Sequence, residues 1–140
     1  MQLNQLGDKY DASANDSDKT FIVPANTRWL LTWLHFSLVT TATVGNRKVR
    51  LAILDAADNI RMDSHAGVVQ AARLTRHYEY MKGIFREAAF MDDAIKVPLA
   101  TDLAFPAGWK GRVYDSEVVD AAADGMRVCI QYTYDYTQSQ

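Results

Sequence analysis

The chain has 140 residues, fifteen Lys and Arg against seventeen Asp and Glu, and a formal charge of −2; at that length one domain with a single sizeable core is expected. Scattered cations in near balance with the acids give no electrostatic basis for binding nucleic acid. The lone Cys129 excludes an internal disulfide framework and a cysteine-based zinc cluster, and reads as a small strand residue. No stretch reaches the ~18 apolar residues of a membrane-spanning helix, and the N-terminus lacks a basic segment followed by an apolar one, so a soluble protein made in the cytoplasm is expected.

Residues 1–19, MQLNQLGDKYDASANDSDK, are rich in Asp, Asn, Ser, Gln and Lys. Too little apolar surface is present to offset ordering entropy, which predicts a flexible N-terminal arm that gains order only against a partner. The β-sandwich domain is expected over 20–137, with a tail at 138–140. FIV runs into Pro24, and PANTR supplies a turn before WLLTWLHFSLVT. This stretch is long enough for a helix, but Trp29, Thr32 and Trp33 are strand formers, and Leu30, Leu34, Phe36 and Leu38 fall on one even-numbered face. A strand is therefore predicted, with Trp29, Leu31 and Trp33 sharing its other face.

In KVRLAIL, Val49, Leu51 and Ile53 alternate with Lys48, Arg50 and Ala52, and DAADN follows as a compact turn. IRMDSHAG gives a short strand. AARLTRHYEYM sets Leu74, Arg76, Tyr78 and Tyr80 against Arg73, Thr75, His77 and Glu79, a strand with one wet face. KGIFREAAFMDD reads as loop, AIKVPLA as a short apolar run, and FPAGWKGRVYD as a turn, punctuated by Pro106, Gly108 and Gly111, that enters a strand. The last strand carries the strongest alternation: Met126, Val128, Ile130, Tyr132, Tyr134 and Tyr136 oppose Arg127, Cys129, Gln131, Thr133 and Asp135. About eight strands with no sustained helical period and no repeat predict an all-β, antiparallel β-sandwich, jelly-roll-like in topology. A helical turn near 84–94 or 117–123 would leave that class unchanged.

Asp115, Glu117, Asp120 and Asp124 form the densest acidic cluster. They lack the alternate spacing, central Gly and terminal Glu of a calcium-binding loop, whereas Asp124-Gly125 is a turn signal directly before the best strand, so the cluster reads as loop chemistry. His35, His65 and His77 show no metal-ligand spacing; His35 is expected to be a satisfied structural residue and His77 an exposed one. Asp63, Ser64 and His65 are strand neighbours that point to alternate faces and build no hydrolytic triad. Trp29, Trp33 and Trp109 offer a sugar-stacking platform in principle, but Trp29 and Trp33 share their parity with Leu31, which favours core or subunit contact. No catalytic, cofactor-binding or metal-ligating residue is assigned, and no enzyme activity is expected.

Three stretches, VGNRKVRLAILDAADN, AARLTRHYEY and GWKGRVYDSEVVDAAADGMRVCIQY, resemble those of small bacteriophage virion proteins of the β-sandwich type, the minor structural or capsid decoration (cement) proteins. The likeness covers most of residues 20–136. It implies a protein that binds capsid or tail subunits, with no catalytic residues; the leading expectation is a jelly-roll subunit, trimeric, that resides in the virion after synthesis in the host cytoplasm, binds the major capsid protein or other virion subunits, and stabilises the shell. Neither nucleic acid nor a membrane is an expected partner, and no cofactor is implied. The alternatives are a carbohydrate- or receptor-binding module using the Trp and Tyr residues, and a cupin-like enzyme.

Overall fold

The computed structural model describes residues 5–11, 19–82, 94–99, 103–120 and 123–136. They form ten strands: β1 (Gln5–Asp11), β2 (Lys19–Ile22), β3 (Thr27–Val39), β4 (Val49–Leu54), β5 (Ile60–His65), β6 (Thr75–Lys82), β7 (Ala94–Leu99), β8 (Leu103–Phe105), β9 (Lys110–Asp115) and β10 (Gly125–Tyr136). One sheet has the order β1-β10-β3-β6-β7, with β8 also paired to β3; the other has the order β2-β9-β4-β5. The chain crosses between sheets at β1–β2, β2–β3, β3–β4, β5–β6, β8–β9 and β9–β10. Eight strands thus interleave as two four-stranded sheets, which is the jelly roll, and β7 and β8 are additions in the connection from β6 to β9. Every pairing is antiparallel except the parallel pair β6–β7.

Between the sheets lies one core, in which Leu34, Phe36, Leu38, Tyr78, Tyr80, Met126 and Ile130 of the larger sheet meet Phe21, Leu51, Ile53 and Val113 of the smaller. The even parity of β10 is buried from Met126 to Tyr132, as its alternation predicts. Tyr132 stacks on Trp29 with ring centroids 3.9 Å apart, and Phe36 stacks on Tyr78 at 4.8 Å. Gly111 stands opposite Phe21 on the neighbouring strand, and a Cβ there would overlap the Phe21 ring. This glycine is therefore a packing residue inside β9 rather than a turn residue.

The expectation of one continuous face on β3 fails at its middle. Gln131 is the partner of Trp33 and Tyr132 that of Leu31, so Thr32 is an extra residue on β3, a β-bulge whose hydroxyl donates to the Gln131 carbonyl at 3.2 Å. A strand has period two, so one inserted residue exchanges its faces. Thr27, Trp29 and Leu31 are buried before the bulge, and Leu34, Phe36 and Leu38 after it. Trp29 and Trp33 therefore do not share a face, and Leu30 is an exposed residue instead of a core one.

Residues 5–11, expected within a flexible arm, form β1 and pair with β10 from Gln5↔Tyr134 to Asp11↔Val128. A backbone ladder holds this segment, and ladder hydrogen bonds are indifferent to the polarity of the side chains along it. Lys19, the last residue of the predicted arm, is buried and begins β2; residues 1–4 and 12–18 of that arm, the 84–93 part of one possible helical turn, most of the loop KGIFREAAFMDD and the tail at 138–140 lie outside the described residues. Residues 117–120 contain no helical turn.

Candidate interaction surface

Strand register brings three connections to one end of the sandwich. Val39 pairs with both Gly125 and Thr75, Val49 with Asp115, and Arg50 with His65. The β3–β4 connection (40–48), the β5–β6 connection (66–74) and the β9–β10 connection (116–124) therefore emerge side by side.

A buried polar network fastens them together. Arg47 and Asp124 have no exposed side-chain surface, and the guanidinium donates from Nε to Asp124 Oδ2 at 2.7 Å and from Nη2 to Oδ1 at 3.1 Å. Its Nη1 donates to the carbonyls of Thr43 and Gly45. The Asp124 carboxylate holds Arg47 above the usual guanidinium range. Arg47 and Gln70 exchange backbone hydrogen bonds, and the Gln70 amide donates to the carbonyls of Leu38 and Leu74 while accepting from the Tyr78 hydroxyl at 2.8 Å. Burial pushes the Tyr78 phenol up to about 12, so it remains a donor.

The acidic cluster belongs to this network. Asp124 Oδ1 also accepts from the Thr41 N–H, Asp120 Oδ2 accepts from the hydroxyls of Thr41 and Thr43, and Asp115 Oδ1 accepts from the N–H groups of Lys48 and Glu117. The two threonine hydroxyls hold the Asp120 carboxyl below its usual range. Glu117 pairs with Lys48 at 3.1 Å. These acids bind protein donors, as loop chemistry requires. Asp124, however, is the buried partner of Arg47 rather than only the first half of a turn. Arg47 escaped sequence reasoning because nothing local distinguishes it from the exposed cations around it.

On this frame sit apolar side chains facing water: Val44 is 91% exposed and Val118 64%, with Val39 and Val69 also exposed. Val118 has φ of 50°, a conformation that a β-branched residue adopts only when its surroundings impose it. The loops touch closely, since a Cβ on Gly45 would lie 2.7 Å from Val119. Beside the platform runs an open groove of about 630 Å³, lined by Val49, Val68 and Val69 together with Lys48, His65 and Arg76.

The other sequence candidates fall elsewhere. Asp63 is paired with Arg50 at 2.8 Å, and no triad forms with Ser64 and His65. Trp29 is in the core, Trp33 is half-buried on the outer face of the larger sheet, and Trp109 packs against the core from the turn before β9. They share no platform, so the geometric basis for a sugar-stacking surface is lost. Cys129 is a half-buried strand residue. His35 and His77, 42 positions apart, meet across β3 and β6, whereas His65 stands apart in the groove. Among the described residues no group of three or more His, Cys, Asp or Glu side chains is placed to hold a metal ion.

Fold and site together define a jelly-roll domain with a hydrogen-bonded cluster of loops at one end that carries exposed valines. No family model and no curated protein matches the chain. Among solved structures it is similar to a chain of "Structure of infectious bursal disease virus Gx strain", with 5% sequence identity and a TM-score of 0.40 over 96% of this chain. The chain spans 37% of the length of that solved chain.

Proposed function

We propose that the chain is a non-enzymatic structural subunit of a virus particle, a phage capsid decoration protein that docks on the major capsid protein through its loop platform and stabilises the shell. The observation that carries this reading is the pairing of exposed Val44 and Val118 with a frame of buried hydrogen bonds. Exposed apolar side chains gain free energy when a partner covers them, and a frame already ordered loses little entropy on docking. The jelly roll itself adds only a fold-level analogy, because shells, lectins and enzymes share it. A homotrimer, residence in the virion and synthesis in the host cytoplasm belong to the same proposal, which requires neither nucleic acid, membrane nor cofactor.

Mass spectrometry of purified particles, followed by co-sedimentation of the purified chain with capsid shells lacking it, tests this function. The chain is expected in the particles, and the double variant Val44→Asp, Val118→Asp is expected to keep its melting temperature while losing co-sedimentation. Absence from purified particles would overturn the virion assignment. Undiminished co-sedimentation of the double variant would overturn the assignment of the docking face.

A further inference from the structure

On the outer face of the larger sheet, the face turned away from the core, His35 Nε2 and His77 Nδ1 lie 3.2 Å apart, with ring centroids separated by 5.4 Å. Glu79 Oε1 approaches the other nitrogen of His35, Nδ1, at 3.7 Å. The side chains of His35 and Glu79 are 28% and 24% exposed, so the cluster is open to small solutes but held by its strands. His35 stands opposite Glu79 on β6, and His77 lies two residues before Glu79, so the ladder fixes all three positions.

We propose that His35 and His77 form a two-point chelate for a first-row transition-metal dication, Zn²⁺, Ni²⁺ or Cu²⁺, with Glu79 as the positioning residue behind His35. Two imidazole nitrogens bound at 2.0–2.1 Å to one tetrahedral ion stand about 3.3 Å apart. The observed separation is already close to that, so a metal enters by a small swing of the rings without parting the strands. Imidazole is a preferred ligand of these ions, and the Glu79 carboxylate, 3.7 Å from Nδ1 and so outside hydrogen-bond distance, favours by its charge the tautomer that keeps the His35 proton on that side. With a proton on His35 Nδ1 facing Glu79, Nε2 is free to coordinate. Without metal the contact between Nε2 and Nδ1 is a hydrogen bond that holds one proton; the metal would take that proton's place, with the His77 proton moving from Nδ1 to Nε2, so the two rings together release none. Water completes the coordination sphere, consistent with only two protein ligands.

Trp33 supplies a local reporter, since its ring centroid is 5.3 Å from that of His35. Titration of the full chain with Ni²⁺ or Cu²⁺, followed by tryptophan fluorescence and by calorimetry, is expected to give saturable quenching and a single binding event per chain. His35→Ala and His77→Ala should each abolish saturation, Glu79→Gln should weaken binding about 10-fold, and Trp33→Phe should remove most of the quenching while leaving the calorimetric event. His65→Ala should bind as the wild type does. No saturable event with any of the three ions, or an event insensitive to both His35→Ala and His77→Ala in folded protein, would overturn the proposal. Far-ultraviolet circular dichroism of each variant establishes that it is folded, and His77→Gln replaces any alanine variant that is not.

Discussion

Arg47 and Asp124, 77 positions apart in the chain, meet through two hydrogen bonds in a place that water does not reach. Their contact joins the β3–β4 connection to the residue before β10. Two charges taken out of water are costly, and their mutual attraction offsets that cost only while both are present. Asp124→Asn and Arg47→Met are each expected to lower stability by about 3–5 kcal/mol in chemical denaturation, because each strands a buried ion. The combined Arg47→Met, Asp124→Leu variant should cost less than the sum of the two single changes. Single variants within about 0.5 kcal/mol of the wild type, the range of ordinary surface substitutions, would show that the pair is not the fastening described.

Asp55 gives the protein an acid-sensitive turn. Its carboxylate accepts hydrogen bonds first from the Asn59 N–H, and also from the Asn59 side chain, Arg61 and the Ala57 N–H, which hold it at about 2. The unfolded chain takes up this proton near pH 4, so between about pH 4 and 2 it binds more protons than the folded one. Stability from Asp55 is thus present above pH 4 and is lost as pH falls through 2. Denaturation midpoints measured across that window should fall with pH in the wild type and fall less steeply in Asp55→Asn; equal slopes would contradict this role.

The bulge at Thr32 predicts opposite fates for two leucines of the same parity. Leu30 is on the solvent side and Leu34 is fully buried. Leu30→Lys should therefore fold with a stability change of about 0.5 kcal/mol or less. Leu34→Lys places an unpaired ammonium in the core and should prevent folding. Circular dichroism and thermal melts distinguish the two, and equal tolerance would mean that β3 has a single continuous face.

Gly111 and Phe21 are expected to be energetically coupled. Gly111→Ala drives a methyl group into the Phe21 ring and should cost about 1–3 kcal/mol as overpacking. Adding Phe21→Leu opens space for that methyl, so the double variant should be more stable than the two separate losses imply. A double-mutant cycle with no interaction energy would show that β2 and β9 adjust freely at this point.

Alternation within single strands was legible in the sequence, and with it the sandwich class. Val49, Leu51 and Ile53, like Met126, Val128 and Ile130, carry a period of two that depends on no distant partner. The phase change on β3 was visible in principle, since Trp29 and Leu31 precede it and Leu34, Phe36 and Leu38 follow. Leu30 and Trp33 mask it, being apolar on the solvent side. Strand β1 was missed because its pairing is made by backbone, while composition reports only side chains. The Arg47–Asp124 and His35–His77 contacts were illegible for another reason: each depends on the register between segments far apart in the chain, which no local pattern encodes.

The position of β10 in its sheet also sets the order in which the molecule can be completed. It lies between β1 and β3, yet all nine other strands precede it in the chain. Until it is synthesised, β1 has no neighbour in the sheet and β3 lacks its longest pairing, and until Asp124 just before it is made, Arg47 lacks its partner. The larger sheet therefore closes late, from its middle, when one strand inserts between two that have been waiting. A chain arrested before residue 124 would present two open strand edges and an unpaired cation together, a state suited to capture by other chains as much as to its own completion.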